Sequence, residues 1–93
     1  MFVGGPNANA TLTMQGNYYG VAPYLVSPLA AAVALLGNAS VAYAQGCGID
    51  THSRRQFAAA AALAAQCDAA LLVVGLDQSQ EREGHDRKHI ALP

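Results

Sequence analysis

Charge is what this chain has least of. Its 93 residues include 5 Lys and Arg and 6 Asp and Glu, 12% in all, about half of the ~25% typical of soluble domains. The net charge is −1, and no basic block is present, so neither nucleic acid nor an anionic membrane surface is an expected partner. No apolar run approaches the ~18 residues of a spanning helix. The stretch "FAAAAALAA", from Phe57 to Ala65, is short and only weakly hydrophobic. The opening "MFVGGPNANA" has no positive n-region and no long apolar h-region, so it does not read as a signal peptide. The two cysteines, Cys47 and Cys67, match no metal-ligand spacing. They are compatible with one disulfide in an oxidising compartment or with two buried thiols.

The hydrophobic fraction of 53% overstates the core, because twenty of those residues are alanine. An alanine contributes about one methyl group of burial, well below the ~1.5–3 kcal/mol of a leucine. A chain of this length also buries only roughly 60–65% of the surface it exposes when unfolded. A thin core under a poorly charged surface suggests a piece of a larger domain whose apolar faces expect partners. The alternative is a complete but marginal small domain.

The charge that exists is concentrated. Asp77, Glu81, Arg82, Glu83, Asp86, Arg87 and Lys88 all follow directly on the apolar run "DAALLVVG". A solvated face would spread its charges along the chain, so this cluster is the first candidate site.

Hydrophobic patterning gives the frame around it. "MFVGG" reads as a short buried strand stopped by Gly4-Gly5-Pro6. "PNANAT" and "GNYYGVAPYLVSP" form an irregular connection whose tyrosines, Tyr18, Tyr19 and Tyr24, are expected to pack on the domain edge. A first helix starts at Ser27 as N-cap with Pro28 at its first position, and stops at Gly37 and Asn38 in left-handed conformation. "SVAYAQG" is a second strand. A second helix, "RRQFAAAAALAAQC", follows a cap at Thr51 or Ser53, with Phe57, Ala61 and Ala64 on one stripe. Arg54 and Arg55 sit at its positive end, where the dipole does not favour them. "DAALLVVG" is a third strand, continuous in its apolarity as a parallel strand covered on both faces should be.

Strands alternating with helices predict an α/β fold: a mostly parallel sheet with right-handed crossovers and helices on both faces, a three-layer α/β sandwich. Ligands of such sheets bind outside the carboxyl ends of the strands. The loops "GGPNAN", "GCGID" and "GLDQSQEREGHDR" all belong to that end.

Several chemistries compete for this edge. Glu81 and Glu83, with arginines beside them, suit acid-catalysed bond cleavage, in which a neighbouring carboxylate or burial keeps one carboxyl protonated. Read without context, the same residues make a solvated ion-pair turn. His85 and His89 have helical i, i+4 spacing, but Gly84 argues against a helix there and no third ligand is evident, so no metal is expected. "GGPNAN" lacks the spacing of a phosphate-binding glycine loop, and no nucleotide or other cofactor is expected.

Read together, "GPNANAT", "GNYYG", "SPL", "YAQGC" and "GLDQSQEREGHDR…ALP" resemble the C-terminal domain of glycoside hydrolase family 3, in its plant β-xylosidase and α-arabinofuranosidase branch. The resemblance covers nearly the whole chain. It implies that residues 1–93 are about the first half of that α/β sandwich domain. In the family the nucleophile is an aspartate on an N-terminal barrel domain, and the general acid/base is a glutamate on a loop of this domain. Carried onto this sequence, that glutamate is Glu83 or Glu81, with the spacing to Asp86-Arg87 favouring Glu83. The implied substrate is a xylo- or arabino-oligosaccharide of the cell wall, and the implied setting is extracellular. The implied parent is a retaining exo-glycosidase, with this chain inactive alone for want of the barrel. A cysteine common after the family's "GNY" turn is missing here, which leaves Cys47 without its usual neighbour. Two rival readings remain at this stage. One is a non-catalytic carbohydrate- or partner-binding module; the other is a nucleotide-binding module of flavodoxin type.

Overall fold

The computed structural model describes residues 1–93. Three short strands form one parallel sheet in the order β2-β1-β3: β1 (Phe2–Gly4), β2 (Ala42–Ala44) and β3 (Ala70–Leu72). Val3 stands opposite Tyr43 on one side and Leu71 on the other. The chain leaves β1 toward β2 through α1 (Pro28–Leu36), then crosses back over β1 through α2 (Phe57–Ala64) to reach β3. The two connections run in opposite directions across the sheet, and with the right-handed crossing usual for parallel strands they put the two helices on opposite faces. Side chains of adjacent residues in β1 point to opposite faces, and their partners follow that rule. Val3 packs with Ala32 and Leu29 of α1 and with Val73, while Phe2 shares the other face with Phe57, Ala60 and Ala61 of α2. The fold is helix on sheet on helix, as the alternation of patterns predicts.

Helix α1 follows its sequence closely. Ser27 is extended (φ −71°, ψ 157°), and its hydroxyl accepts from the Ala30 amide at 3.1 Å. Pro28 occupies the first turn, where no amide donor is needed. Gly37, with φ +81°, ends the helix and donates its N–H to Val33. Asn38 departs from expectation: it opens a 3₁₀ turn, Asn38–Ser40, and is not left-handed. A second such turn, Leu12–Gln15, interrupts the connection after β1.

Helix α2 is shorter than "RRQFAAAAALAAQC" implies. The Thr51 hydroxyl accepts from the Ser53 amide (3.1 Å) within a local turn, so it caps no helix. The chain is helical only from Phe57, after a Gln56 that supplies no side-chain cap. At the other end, Gln66 and Cys67 donate to Leu63 and Ala64 in tight i→i−3 bonds, drawing the last turn out of the helix.

Strand β3 is the main correction. It spans only Ala70–Leu72 and lies at the sheet edge with all three residues exposed. Strand β1 takes the centre instead, with Phe2 2% and Val3 0% exposed. Leu72 and Val74 border an apolar groove of about 350 Å³ beside Phe57, Ala60 and Ala61. Alanine side chains on α2 are too small to fill it. The core is as thin as the composition suggests: 7 of 93 residues are buried. The radius of gyration is 14.6 Å, against about 12 Å for a compact domain of this length. The slab measures 42 × 35 × 17 Å.

Candidate functional site: the loop beyond β3

The loops leaving β1 and β3 are joined where the strands end. Gly5 has φ +107°, and a Cβ there would be driven into the Val73 carbonyl group. Only glycine allows that approach, which places the Asn7 amide on the Val73 carbonyl at 3.2 Å. The Asn7 side chain then donates to the Leu76 carbonyl at 3.1 Å. One residue pair further on, Gln78 Nε2 donates to the Gly16 carbonyl (3.0 Å) and reaches that of Thr13 (3.5 Å). The 3₁₀ turn after β1 is thereby fixed against the start of the charged loop. A polar cleft of about 230 Å³ lies between them, with Asn17, Asp77 and Glu81 in its wall.

The loop itself is built from two turns. Asp77 starts the first: its carboxylate accepts from the Ser79 amide (2.9 Å) and hydroxyl (2.5 Å), and its carbonyl from the amides of Gln80 and Glu81 (3.0 and 3.1 Å). The second is a tight antiparallel turn closed by paired bonds between Arg82 and His85, 3.1 and 2.9 Å. Glu83 and Gly84 are its central residues, and Gly84 has φ +72°. A positive φ at the second central position favours glycine. Glu83 is therefore held at the tip of a turn.

The two candidate glutamates have different surroundings. Glu81 Oε2 accepts from the Arg87 amide at 2.7 Å, so this carboxylate closes the loop on itself. The Glu83 carboxylate makes no such backbone tie; its influence, with desolvation adding to it, raises the pKa of the exposed Tyr18 phenol. The two arginines of the loop bond to backbone carbonyls rather than to its carboxylates. Arg82 Nη1 donates to the Gln78 carbonyl at 3.0 Å, and Arg87 Nη2 to that of Ala91. Arg87 Nη1 is buried with no partner, a costly arrangement for a charged donor. The ion-pair turn of the bland reading does not form.

Sequence reasoning missed the organising role of Gln78. Gln78 carries no signal, since a loop glutamine is unremarkable until its carbonyl partners 62 and 65 positions away are known. Tyr18, Tyr19 and Tyr24 do not pack on the domain edge; they are 80, 55 and 77% exposed. Cys47 and Cys67 are free and lie apart, Cys47 in the apolar groove after β2 and Cys67 just before β3. These are opposite ends of the sheet. His85 sits in the tight turn, and no group of three His, Cys, Asp or Glu side chains converges there or elsewhere.

Residues 1–93 match the glycosyl hydrolase family 3 C-terminal domain. The chain belongs to this family. An exo-1,4-beta-xylosidase, xlnD, of Aspergillus niger is 44% identical over 89 residues, and beta-D-xylosidase 3 of Arabidopsis thaliana is 48% identical over the same length. In both, the aligned region is 96% of this chain and 11% of the relative. Among solved structures, a family 3 exo-beta-xylosidase (XlnD) in complex with a xylobiose aziridine activity-based probe superposes with a TM-score of 0.89 at 42% identity. It covers 99% of this chain, which is 12% of that protein. The family 3 assignment accounts for the motifs as a set, from the "GPNANAT" turn to the charged loop. The chain thus spans about a ninth of the length of the relatives it matches.

Proposed function

We propose that this chain carries the general acid/base of an exo-acting, retaining β-xylosidase-type glycosidase, with Glu83 in that role and Glu81 shaping its loop. The observation that supports it most is the pair of ties from the β1 loop, through Asn7 and Gln78, that hold the glutamate-bearing loop at the carboxyl edge of the sheet. A fixed carboxyl at that edge is positioned to serve a sugar presented by another domain. Retaining hydrolysis needs two carboxyl groups about 5–5.5 Å apart across the scissile bond. The nucleophile would come from a barrel domain of the whole enzyme. Glu83 would protonate the leaving oxygen, then take a proton from the water that releases the sugar. Glu81 is less suited, since its carboxylate already closes the loop on Arg87.

The substrates would be terminal xylosyl or arabinosyl residues of cell-wall polysaccharide, met outside the cell. The 93-residue chain by itself would turn over no aryl xyloside. The test replaces the matching segment of the Arabidopsis relative with residues 1–93 and compares Glu83→Gln with Glu81→Gln. Loss of the acid should cost about 10²–10⁴-fold for poor leaving groups, far less for a dinitrophenyl xyloside that departs without a proton, and azide should restore turnover. The larger, leaving-group-dependent loss from Glu81→Gln would reassign the role. Full activity in both variants would leave a non-catalytic carbohydrate- or partner-binding module.

A further inference from the structure

Arg82 stands between the two glutamates, and composition alone would give its charge to one of them. Its Nη1 donates instead to the Gln78 carbonyl at 3.0 Å. Its backbone closes the tight turn, accepting from the His85 amide at 2.9 Å and donating to the His85 carbonyl at 3.1 Å. One residue thus shapes the turn that carries Glu83 and anchors that turn to another point. The anchor is itself fixed. Gln78 is half-buried, and its side-chain amide donates to the Gly16 carbonyl at 3.0 Å and reaches that of Thr13 at 3.5 Å. The bonds run in series, from the 3₁₀ turn after β1 to the Gln78 side chain, then from the Gln78 carbonyl to the Arg82 guanidinium and the hairpin. Glu81 closes the base of the hairpin on the Arg87 amide at 2.7 Å, a bond that stays within the loop. The series through Arg82 and Gln78 is the one that ends on the connection after β1.

We infer that Arg82 is a positioning residue for Glu83: its guanidinium, braced on Gln78, sets the direction in which the hairpin tip presents the carboxyl group. The inference rests on the acid/base role proposed for Glu83. Proton delivery requires the acid within hydrogen-bond reach of the leaving oxygen, and a misplacement of about 1 Å costs up to about 10²-fold in rate. A hairpin held only by its own internal bonds keeps its shape but is free to tilt against the sheet. Arg82 acts through that tilt and touches no sugar, so proton delivery depends on it and substrate binding does not.

The test uses the Arabidopsis enzyme carrying residues 1–93 and the variant Arg82→Met, which keeps a long side chain and removes its donors. On an aryl xyloside of poor leaving group, kcat should fall about 10–100-fold with KM little changed. On a dinitrophenyl xyloside, which departs without a proton, kcat should hold. Gln78→Ala should show the same dependence on leaving group. Because the two bonds act in series, the double variant should lose little beyond the worse single one. Lys88→Gln takes a charge from the same loop outside this series and is the control. Unchanged kinetics in Arg82→Met overturn the inference. So does a rise in KM at constant kcat, which would make Arg82 a substrate-binding group, or an equal loss on both xylosides, which would make it a general support of the fold. A matching loss in Lys88→Gln would trace the effect to charge and overturn it too. In each case a leaving-group-dependent loss in Glu83→Gln leaves the role of Glu83 intact, whereas full activity in Glu83→Gln removes both.

Discussion

Ser27 is the polar side chain buried most fully, 2% exposed, and it serves two partners at once. Its oxygen accepts from the Ala30 amide at 3.1 Å, and its hydrogen goes to Asn9 Oδ1 at 2.9 Å. It therefore starts α1 and ties that start to the "PNAN" turn. Replacing it with alanine removes a helix cap, worth about 0.5–2 kcal/mol. The stranded Asn9 oxygen adds little, because Asn9 is exposed and water can replace the hydroxyl. The Leu29 amide keeps its bond to the Ala8 carbonyl (2.9 Å), so the helix start should loosen without leaving the sheet. The expected loss for Ser27→Ala is about 1–2 kcal/mol, which for a domain of this size is a fall in Tm of roughly 5–15 °C. Asn9→Ala strands the buried hydroxyl instead and should cost about 1 kcal/mol. The two substitutions remove one shared bond, so the double variant should fall short of additivity by at least about 0.5 kcal/mol. Thermal unfolding followed by far-UV circular dichroism reads all four proteins. Strict additivity, or a Tm drop of less than about 2 °C for Ser27→Ala, would refute the reasoning.

Gly5→Ala should lose about 1–3 kcal/mol to backbone strain alone, with the clash against the Val73 carbonyl added; an unchanged Tm would show that the two strand ends are not in close contact. Asn7→Ala removes the bond to the Leu76 carbonyl, and hydrogen exchange should quicken at Leu76 to Gln78 while α1 keeps its protection. Exchange unaltered in that segment would mean that Gln78 suffices to hold the loop. Mild oxidation should leave both thiols of the monomer open to alkylation, since Cys47 and Cys67 lie at opposite ends of the sheet. A disulfide-linked monomer on a non-reducing gel would contradict that placement.

The features legible in the sequence are those that local chemistry decides. The Ser27-Pro28 start and the Gly37 stop of α1 need only neighbouring residues, and both stand where the pattern puts them. The strand–helix alternation and the parallel sheet follow from period and connection rules. Judging burial from apolarity failed at β3. "ALL" followed by "VV" reads as a strand covered on both faces, yet it lies exposed at the edge, and the covered central position belongs to Phe2–Gly4, a segment with one phenylalanine, one valine and a glycine. A short apolar run indicates that a strand can be buried, whereas strand order settles which one is. Order comes from the crossovers, which a local pattern does not encode. The second helix failed for a related reason. Alanine has high helix propensity at every position, so the run marks a helix without marking its ends, and the ends went to local turns at Thr51 and at Gln66.

At the site, the sequence carried the residue types and the structure carried the division of labour. Two glutamates two positions apart are equivalent in composition, and spacing alone does not say which one is free. Their hydrogen bonds separate them: one carboxylate is tied to an amide six residues on, and the other is offered at the tip of a turn that Gly84 makes possible. Asn7 and Gln78 tether this loop to the connection after β1 by bonds that span 69 and 62 to 65 positions of chain. Both spend their side-chain amides on backbone carbonyls, so they set the position of the loop without adding charge to it. That accounts for a chain this poor in charge concentrating it in one loop. Neutral amides tie the loop to the connection after β1, Asp77 and Glu81 shape its turns, and the Glu83 carboxylate is left to the chemistry proposed for it.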